Sequence, residues 1–205
     1  HARLERLARD ADASVFMVLQ AALALLLTRL GAGTDVPLGS PIAGRLDPAL
    51  DRLVGFFVNT LVLRTDTSGD PSFTELIDRV RDWNLAAYQH QDLPFERLVE
   101  ALNPPRAAAR HPLFQVMMSL ENTTPVEVVL DGLVMREIPH PRTTAKFDLT
   151  FSLCERGPSA GVVGELEYST DLYDPDTARC LVERFRAVLE AVAADPELRV
   201  ADVPV

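Results

Sequence analysis

Residues 54–66 read VGFFVNTLVLRTD, a run of β-branched and aromatic side chains that closes on Arg64 and Asp66. Such a run predicts a buried strand, and the segments on either side say what that strand packs against. Upstream, residues 36–45 read VPLGSPIAGR, with two prolines and two glycines. That composition predicts a short strand running into a fixed loop. Downstream, Ser72 and Glu75 form an S-x-x-E capping box that opens a long helix from Phe73 to about Gln89. Leu76, Val80, Trp83 and Ala87 recur at helical spacing along it and are expected to face the core. Asp92 is placed to cap a further helix, LPFERLVEAL, which tolerates Pro94 in its first turn.

At the N-terminal end, residues 2–11 predict a short amphipathic helix. Ser14 then caps VFMVLQAALALLLTRL, which Gly31 stops. That second helix is apolar nearly all round and is expected to be buried on most sides. The second half reads mostly as strand. LFQVMMSL is an apolar run ending at Leu120, and VEVVLDGLVMREI carries Asp131-Gly132 between two apolar arms, a hairpin signal. KFDLTFSL alternates, with Phe147, Leu149, Phe151 and Leu153 on one face and Asp148, Thr150 and Ser152 on the other. GVVGELEYS is the last strand. Asp174-Pro175 starts a final helix with Leu181, Phe185, Leu189 and Val192 as its core face, and Asp195-Pro196 ends it. Residues 197–205 read as the start of a linker. This order implies an α/β sandwich, one mixed sheet with helices mainly on one side.

The chain has 205 residues, 47% hydrophobic and 24% charged, which fits one folded domain with its own core. Its formal net charge is -10 and its arginines are scattered. Nucleic acid and anionic membranes are therefore not expected partners, since both require a basic surface. An acidic partner would need a local basic or apolar patch. Cys154 and Cys180 lack CxxC spacing, so neither a disulfide scaffold nor a metal site is expected, and a reducing, cytoplasmic compartment is. The apolar stretch from Val15 to Leu27 is shorter than the ~20 residues of a membrane-spanning helix and contains Gln20. No signal peptide is read at the N-terminus.

Four segments, in order, resemble signatures of the condensation domains of non-ribosomal peptide synthetases. They are GSPIAGR at 39–45, VGFFVNTLVLR at 54–64, HQDLPFE at 90–96 and RAAARHPLFQVMMSL at 106–120. In the last, Ala107 and Ala109 stand where Asp and Ser are usual. KFDLTFSL and ELEYSTDLYD are similar to later segments of the same family. An epimerisation domain of that superfamily would show a VGWFT-like sequence in place of VGFFVNT.

The resemblance implies a chloramphenicol acetyltransferase-like fold. It also implies amide-bond formation between aminoacyl or peptidyl groups carried as thioesters on the phosphopantetheine of carrier proteins, with no cofactor bound directly. The family's catalytic motif, HHxxxDG, does not occur in this sequence. Residues 1–196 are accordingly expected to be the C-terminal subdomain, with a floor loop at about 36–47 and a crossing segment within 154–174. No catalytic residue is then expected in this chain. Asn59 and Ser40 are the candidates to line the substrate tunnel. Gly39, Arg45, Arg64, Asp92 and Asp148 are the candidates for structural support, with Arg45 and Arg64 in buried ion pairs and Asp148 paired with an arginine. His90, His111 and His140 are read as structural. The implied partners are the N-terminal lobe, donor and acceptor carrier proteins and a following synthetase domain. A lobe that lacks its partner is expected to self-associate through exposed apolar surface. An alternative is a non-catalytic condensation-like domain that recruits tailoring enzymes to a carrier-bound peptide.

Overall fold

Five strands hydrogen-bond into one mixed sheet: β1 (Asp35–Ile42), β2 (Asn59–Asp66), β3 (Val116–Glu121), β4 (Leu149–Glu155) and β5 (Val162–Tyr168). Their order across the sheet is β2-β1-β3-β4-β5, with β2 and β5 antiparallel to their neighbours and β1, β3 and β4 parallel. The computed structural model describes residues 1–105, 107, 110–121, 132–133, 144–157 and 161–205. The expected hairpin about Asp131-Gly132 falls almost wholly outside those residues, as do Arg106, Ala109 and His140.

The helices are α1 (Ala2–Asp10), α2 (Val15–Leu27), α3 (Phe73–Tyr88), α4 (Phe95–Leu102) and α5 (Pro175–Ala194). α2 lies at the centre of the helical layer, in contact with α1, α3 and α5. Ser14 caps it as expected, its hydroxyl accepting from the Met17 amide, and every residue from Met17 to Leu27 is buried. With the turn that follows, the helix from Val15 to Ala32 has 18 residues and a mean hydropathy of 1.9, long and apolar enough by composition to cross a membrane. The protein's own sheet and helices cover Met17 to Leu27 of it, while Arg29 to Ala32 are exposed. Val36 and Leu38 of β1, Met118 of β3 and Leu149 and Phe151 of β4 join the same core.

A helix buried this fully has to satisfy the polar atoms that it carries inward. Gln20 and Asn84 are both 0% exposed. The Asn84 amide donates to Gln20 Oε1 at 2.6 Å, and Gln20 Nε2 donates to Asn84 Oδ1 at 3.3 Å and Thr65 Oγ1 at 3.2 Å. These bonds fix α2 against α3 and β2 in one register.

Three expectations change. The run 54–66 is a strand only from Asn59; Val54 and Phe56 are 105% and 92% exposed. The reason lies in its partner. The β1–β2 ladder ends at Ile42 paired with Asn59, and two residues on Gly44 turns the chain away with φ +64, so residues 54–58 have nothing to pair with. Trp83 is not on the core face of α3. It is 47% exposed beside Arg64 of β2, while Phe73, Leu76, Ile77, Val80 and Asn84 are buried. The buried stripe is rotated, and a polar residue occupies the place given to an aromatic one. Residues 197–203, read as linker, are docked. Carbonyls of Leu198 and Pro196 accept from the Phe73 and Thr74 amides at the start of α3, and Val200 and Val203 are buried. Two otherwise unpaired helix N-terminal amides are satisfied that way. In the region expected to cross to another lobe, β5 pairs with β4 along its whole length.

Replacing Asn84 with alanine leaves the buried Gln20 carbonyl without its donor and is expected to destabilise the fold by about 2 kcal/mol. Urea unfolding measures this, and a change within about 0.5 kcal/mol counts against the pair as a fixing element.

Candidate functional site

The place where β1 and β2 part is the centre of the site. Beyond the last ladder pair, backbone groups need other partners, and the Asn59 carboxamide provides four bonds. Its Nδ2 donates to the carbonyls of Gln91 at 2.9 Å and Leu93 at 2.8 Å. Its Oδ1 accepts from the Thr60 amide at 2.9 Å and the Phe95 amide at 3.1 Å. Two donations and two acceptances use the usual capacity of an amide. Asn59 thereby acts as a remote cap for α4. Asp92, expected in that role, is exposed on the connecting turn; the residue at the cap position is Pro94, which has no side chain able to bond. The expectation fails because the turn 89–93 holds Asp92 two residues too early.

On the other side of the gap, Arg45 organises residues 46–53. Its guanidinium donates to the carbonyl of Leu50 and, at 2.9 Å, to that of Leu53, and it lies 4.2 Å from the centre of the Phe57 ring. These are carbonyl and cation–π contacts, not the expected buried ion pair. Gly44 is required here: a Cβ on it would fall 1.8 Å from the Phe57 carbonyl oxygen. Arg64 has a carboxylate partner, Asp35, but both side chains are more than half exposed and the pair ties β2 to β1 at the far end of the ladder from Gly44.

The resulting loop is pinned from inside and bare outside. Leu46, Leu53, Val54, Phe56, Val58 and Leu93 are all exposed. An open cleft of about 430 Å³ adjoins it, lined by Phe56, Phe57 and Val58 of the loop together with Gly44, Asn59, Asp92 and Glu96. Sequence reasoning missed the exposure of Val54, Phe56 and Val58 by assigning those three residues to a buried strand. Gly55, inside the run, was the available signal against a regular strand.

The remaining candidates separate from the cleft. Ser40 is buried in β1 opposite Leu61 and is not among the residues lining the cleft. Gly39 makes room for Phe114, whose ring would lie 2.2 Å from any Cβ there. Phe114 belongs to an aromatic cluster with Phe95, His111 and Phe147, centroids 4.1 to 5.9 Å apart. Burial holds the His111 imidazole below the ordinary histidine range. Asp148 sits near Tyr173, whose hydroxyl burial and the Asp148 charge hold above the usual phenol range. Among the described residues no arginine pairs with Asp148. The cleft thus offers shape, apolar surface and two carboxylates; no histidine or cysteine lines it. Among the described residues the group with metal-ligand chemistry, His1, Glu5 and Glu155, lies on other elements.

The family model described as the condensation domain matches residues 1–205. A dimodular nonribosomal peptide synthase of Bacillus subtilis (strain 168) is 56% identical over 209 residues, covering 100% of this chain and 9% of that protein. Among solved structures, the X-domain from teicoplanin biosynthesis superposes with a TM-score of 0.93 at 38% identity, over 100% of this chain and 47% of that chain. The complex of the X-domain and OxyB from teicoplanin biosynthesis superposes with a TM-score of 0.91 at 38% identity, over 100% of this chain and 45% of that one. The chain therefore spans a small part of the curated relative and about half of each solved chain. Its observed fold is the chloramphenicol acetyltransferase-like α/β lobe that the sequence led us to expect.

Asn59→Ala removes four bonds at one point and is expected to speed hydrogen exchange at the Phe95 and Thr60 amides and to cost about 2 kcal/mol. Asn59→Asp is expected to do no better, because a carboxylate would face the Gln91 and Leu93 carbonyl oxygens. Unchanged exchange at Phe95 would remove Asn59 from this role. His111 gives a second expectation. Its folded pKa is depressed, so its contribution is complete above the unfolded value of about 6.5 and is lost as pH falls from there through the lowered folded value. Urea midpoints of the wild type and His111→Phe should diverge between about pH 7.5 and 5.5, the wild type losing more. Parallel curves would contradict a half-buried His111 whose pKa is lowered by desolvation.

Proposed function

Since the chain belongs to the condensation domain family, we propose that it is the C-terminal subdomain of a domain that forms amide bonds in non-ribosomal peptide synthesis. The substrates are aminoacyl or peptidyl thioesters on carrier-protein phosphopantetheine. In the reaction the amine nitrogen attacks the thioester carbon. A C–N bond forms, the C–S bond breaks, and the amine proton leaves as the thiol is released. The protein has to hold the two ends together, support the developing oxyanion and move that proton. HHxxxDG is absent from these residues, and we assign the proton transfer to the N-terminal lobe. This chain's part is one wall and the floor of the tunnel, with Arg45, Gly44 and Asn59 setting the shape of the floor.

The observation that carries this reading is the loop 53–58. Hydrophobic side chains clustered in solvent, as Leu53, Val54, Phe56 and Val58 are, make a surface suited to being covered. The cover we propose is the N-terminal lobe, with carrier proteins and the following synthetase domain as further partners. The working compartment is the cytoplasm, in keeping with two unpaired cysteines. Alone, the chain should associate with itself through the same loop.

The likeness to the X-domain, and to its complex with OxyB, favours a second reading. In it the complete domain is non-catalytic and recruits tailoring enzymes to a carrier-bound peptide.

The test uses two loaded carrier proteins. This chain alone is expected to give no dipeptide; a chain extended upstream to include HHxxxDG is expected to turn over. A missing general base accounts for a loss of about 10²–10⁴-fold. Turnover by the isolated chain at the rate of the extended one would overturn the proposal. No turnover by the extended chain, together with retention of an oxygenase in a pull-down, would establish the second reading. Val54→Ser with Phe56→Ser is expected to shift the isolated chain toward monomer in sedimentation. An unchanged distribution would rule the loop out as the contact surface.

A further inference from the structure

Three side chains that no sequence motif singles out converge where α1 begins. His1 and Glu5 lie one helical turn apart, and Glu155 is the last residue of β4. The His1 side chain is only 8% exposed. Its Nε2 is 3.0 Å from Glu155 Oε1, and its Nδ1 is 3.7 Å from Glu5 Oε1. Nδ1 is shielded from solvent and has no hydrogen-bond partner.

A neutral imidazole carries one ring proton. With that proton on Nε2 toward Glu155, the buried Nδ1 lone pair faces a carboxylate across a gap too long for a hydrogen bond. With it on Nδ1, the lone pair of Nε2 faces Glu155 instead. The first tautomer leaves a shielded lone pair unpaired and the second sets acceptor against acceptor at 3.0 Å, and both are unfavourable. A cation on one ring nitrogen resolves the conflict, because the other nitrogen then carries the proton and donates it. One ligand atom from each of the three residues lies within 4.8 Å of the others. An open cleft of about 380 Å³ between α1 and α5, lined in part by His1, Leu4, Arg186 and Leu189, leaves room for a water ligand.

We propose that His1, Glu5 and Glu155 bind a divalent cation of the zinc type, which ties the first turn of α1 to the end of β4. One imidazole and two carboxylates form a mixed nitrogen and oxygen set, better suited to zinc than to calcium or magnesium, which take oxygen ligands. Ligands around a tetrahedral zinc sit roughly 3.3 Å apart, given bonds of about 2.0 Å. Binding therefore draws the groups together. Glu5, the more exposed carboxylate, is the one free to move.

Zinc titration by calorimetry tests this, on the chain with its N-terminus acetylated so that the α-amine is not a ligand. One equivalent is expected to bind, and Glu155→Gln and Glu5→Gln are each expected to weaken it by about tenfold or more. Circular dichroism of both variants should match the wild type; Glu5, at the surface, serves if Glu155→Gln does not fold. Cobalt should give the visible absorption of a low-symmetry site. Absence of saturable binding would overturn the proposal, and so would wild-type affinity in the folded variants. A His1 ring that NMR shows doubly protonated at neutral pH, with zinc present and unbound, would identify the cation as a proton and reject the metal.

Discussion

The hydrogen bonds of Asn59 hold together the segments from which the exposed loop is built. A β-ladder satisfies backbone groups in pairs, and where it stops every amide and carbonyl needs another partner. Here it stops at Ile42 and Asn59. One carboxamide then joins the start of β2 to the turn after α3 and the start of α4. α4 has no cap of its own and buries none of its residues fully, so its position depends on that distant side chain. Arg45 does the corresponding work beyond the end of β1, through the Leu50 and Leu53 carbonyls and the Phe57 ring. The residues between these two anchors are left to face outward.

Behind the loop, the lobe is held by a helix with almost no polar content. α2 buries eleven consecutive residues, and burial of that kind is non-directional. It does not say how far α2 slides or turns against α3. The Gln20–Asn84 amide pair does, because misaligned amides would be left unpaired in the core. Apolar packing thus gives the lobe its stability, and two amides give it its register. The docked tail adds a second polar tie by capping the first amides of α3.

Family membership and fold are the ground for our proposal that the chemistry is completed on another lobe. The cleft's lining includes apolar side chains, the Asn59 amide and two carboxylates, and no histidine or cysteine among the described residues. Rigid positioning of a surface that binds a partner is a way to assemble a tunnel from two bodies. The His1 cluster is separate from this arrangement and concerns how α1 is fastened to the sheet.

The sequence by itself determined the family, the alternation of helices and strands, and most of the caps. Ser14, Ser72 and Asp174 cap as read, because a cap depends on residues within one turn of the chain. The glycines of VPLGSPIAGR were also legible as marks of a fixed loop, although Phe114 and Phe57, which make Gly39 and Gly44 necessary, were not. Tertiary structure decided the rest. Periodicity placed Trp83 inside and the packed helix turned it out, since the buried stripe depends on which strand α3 crosses. VGFF reads as strand by composition, yet a strand exists only where a neighbour offers a ladder, and Gly44 takes that neighbour away. Asp92 is the best local cap for α4, but Asn59, far away in sequence, holds the amide. Each reversal has one cause: local sequence fixes what a segment prefers, and contacts between distant segments fix which hydrogen bonds and burial it obtains.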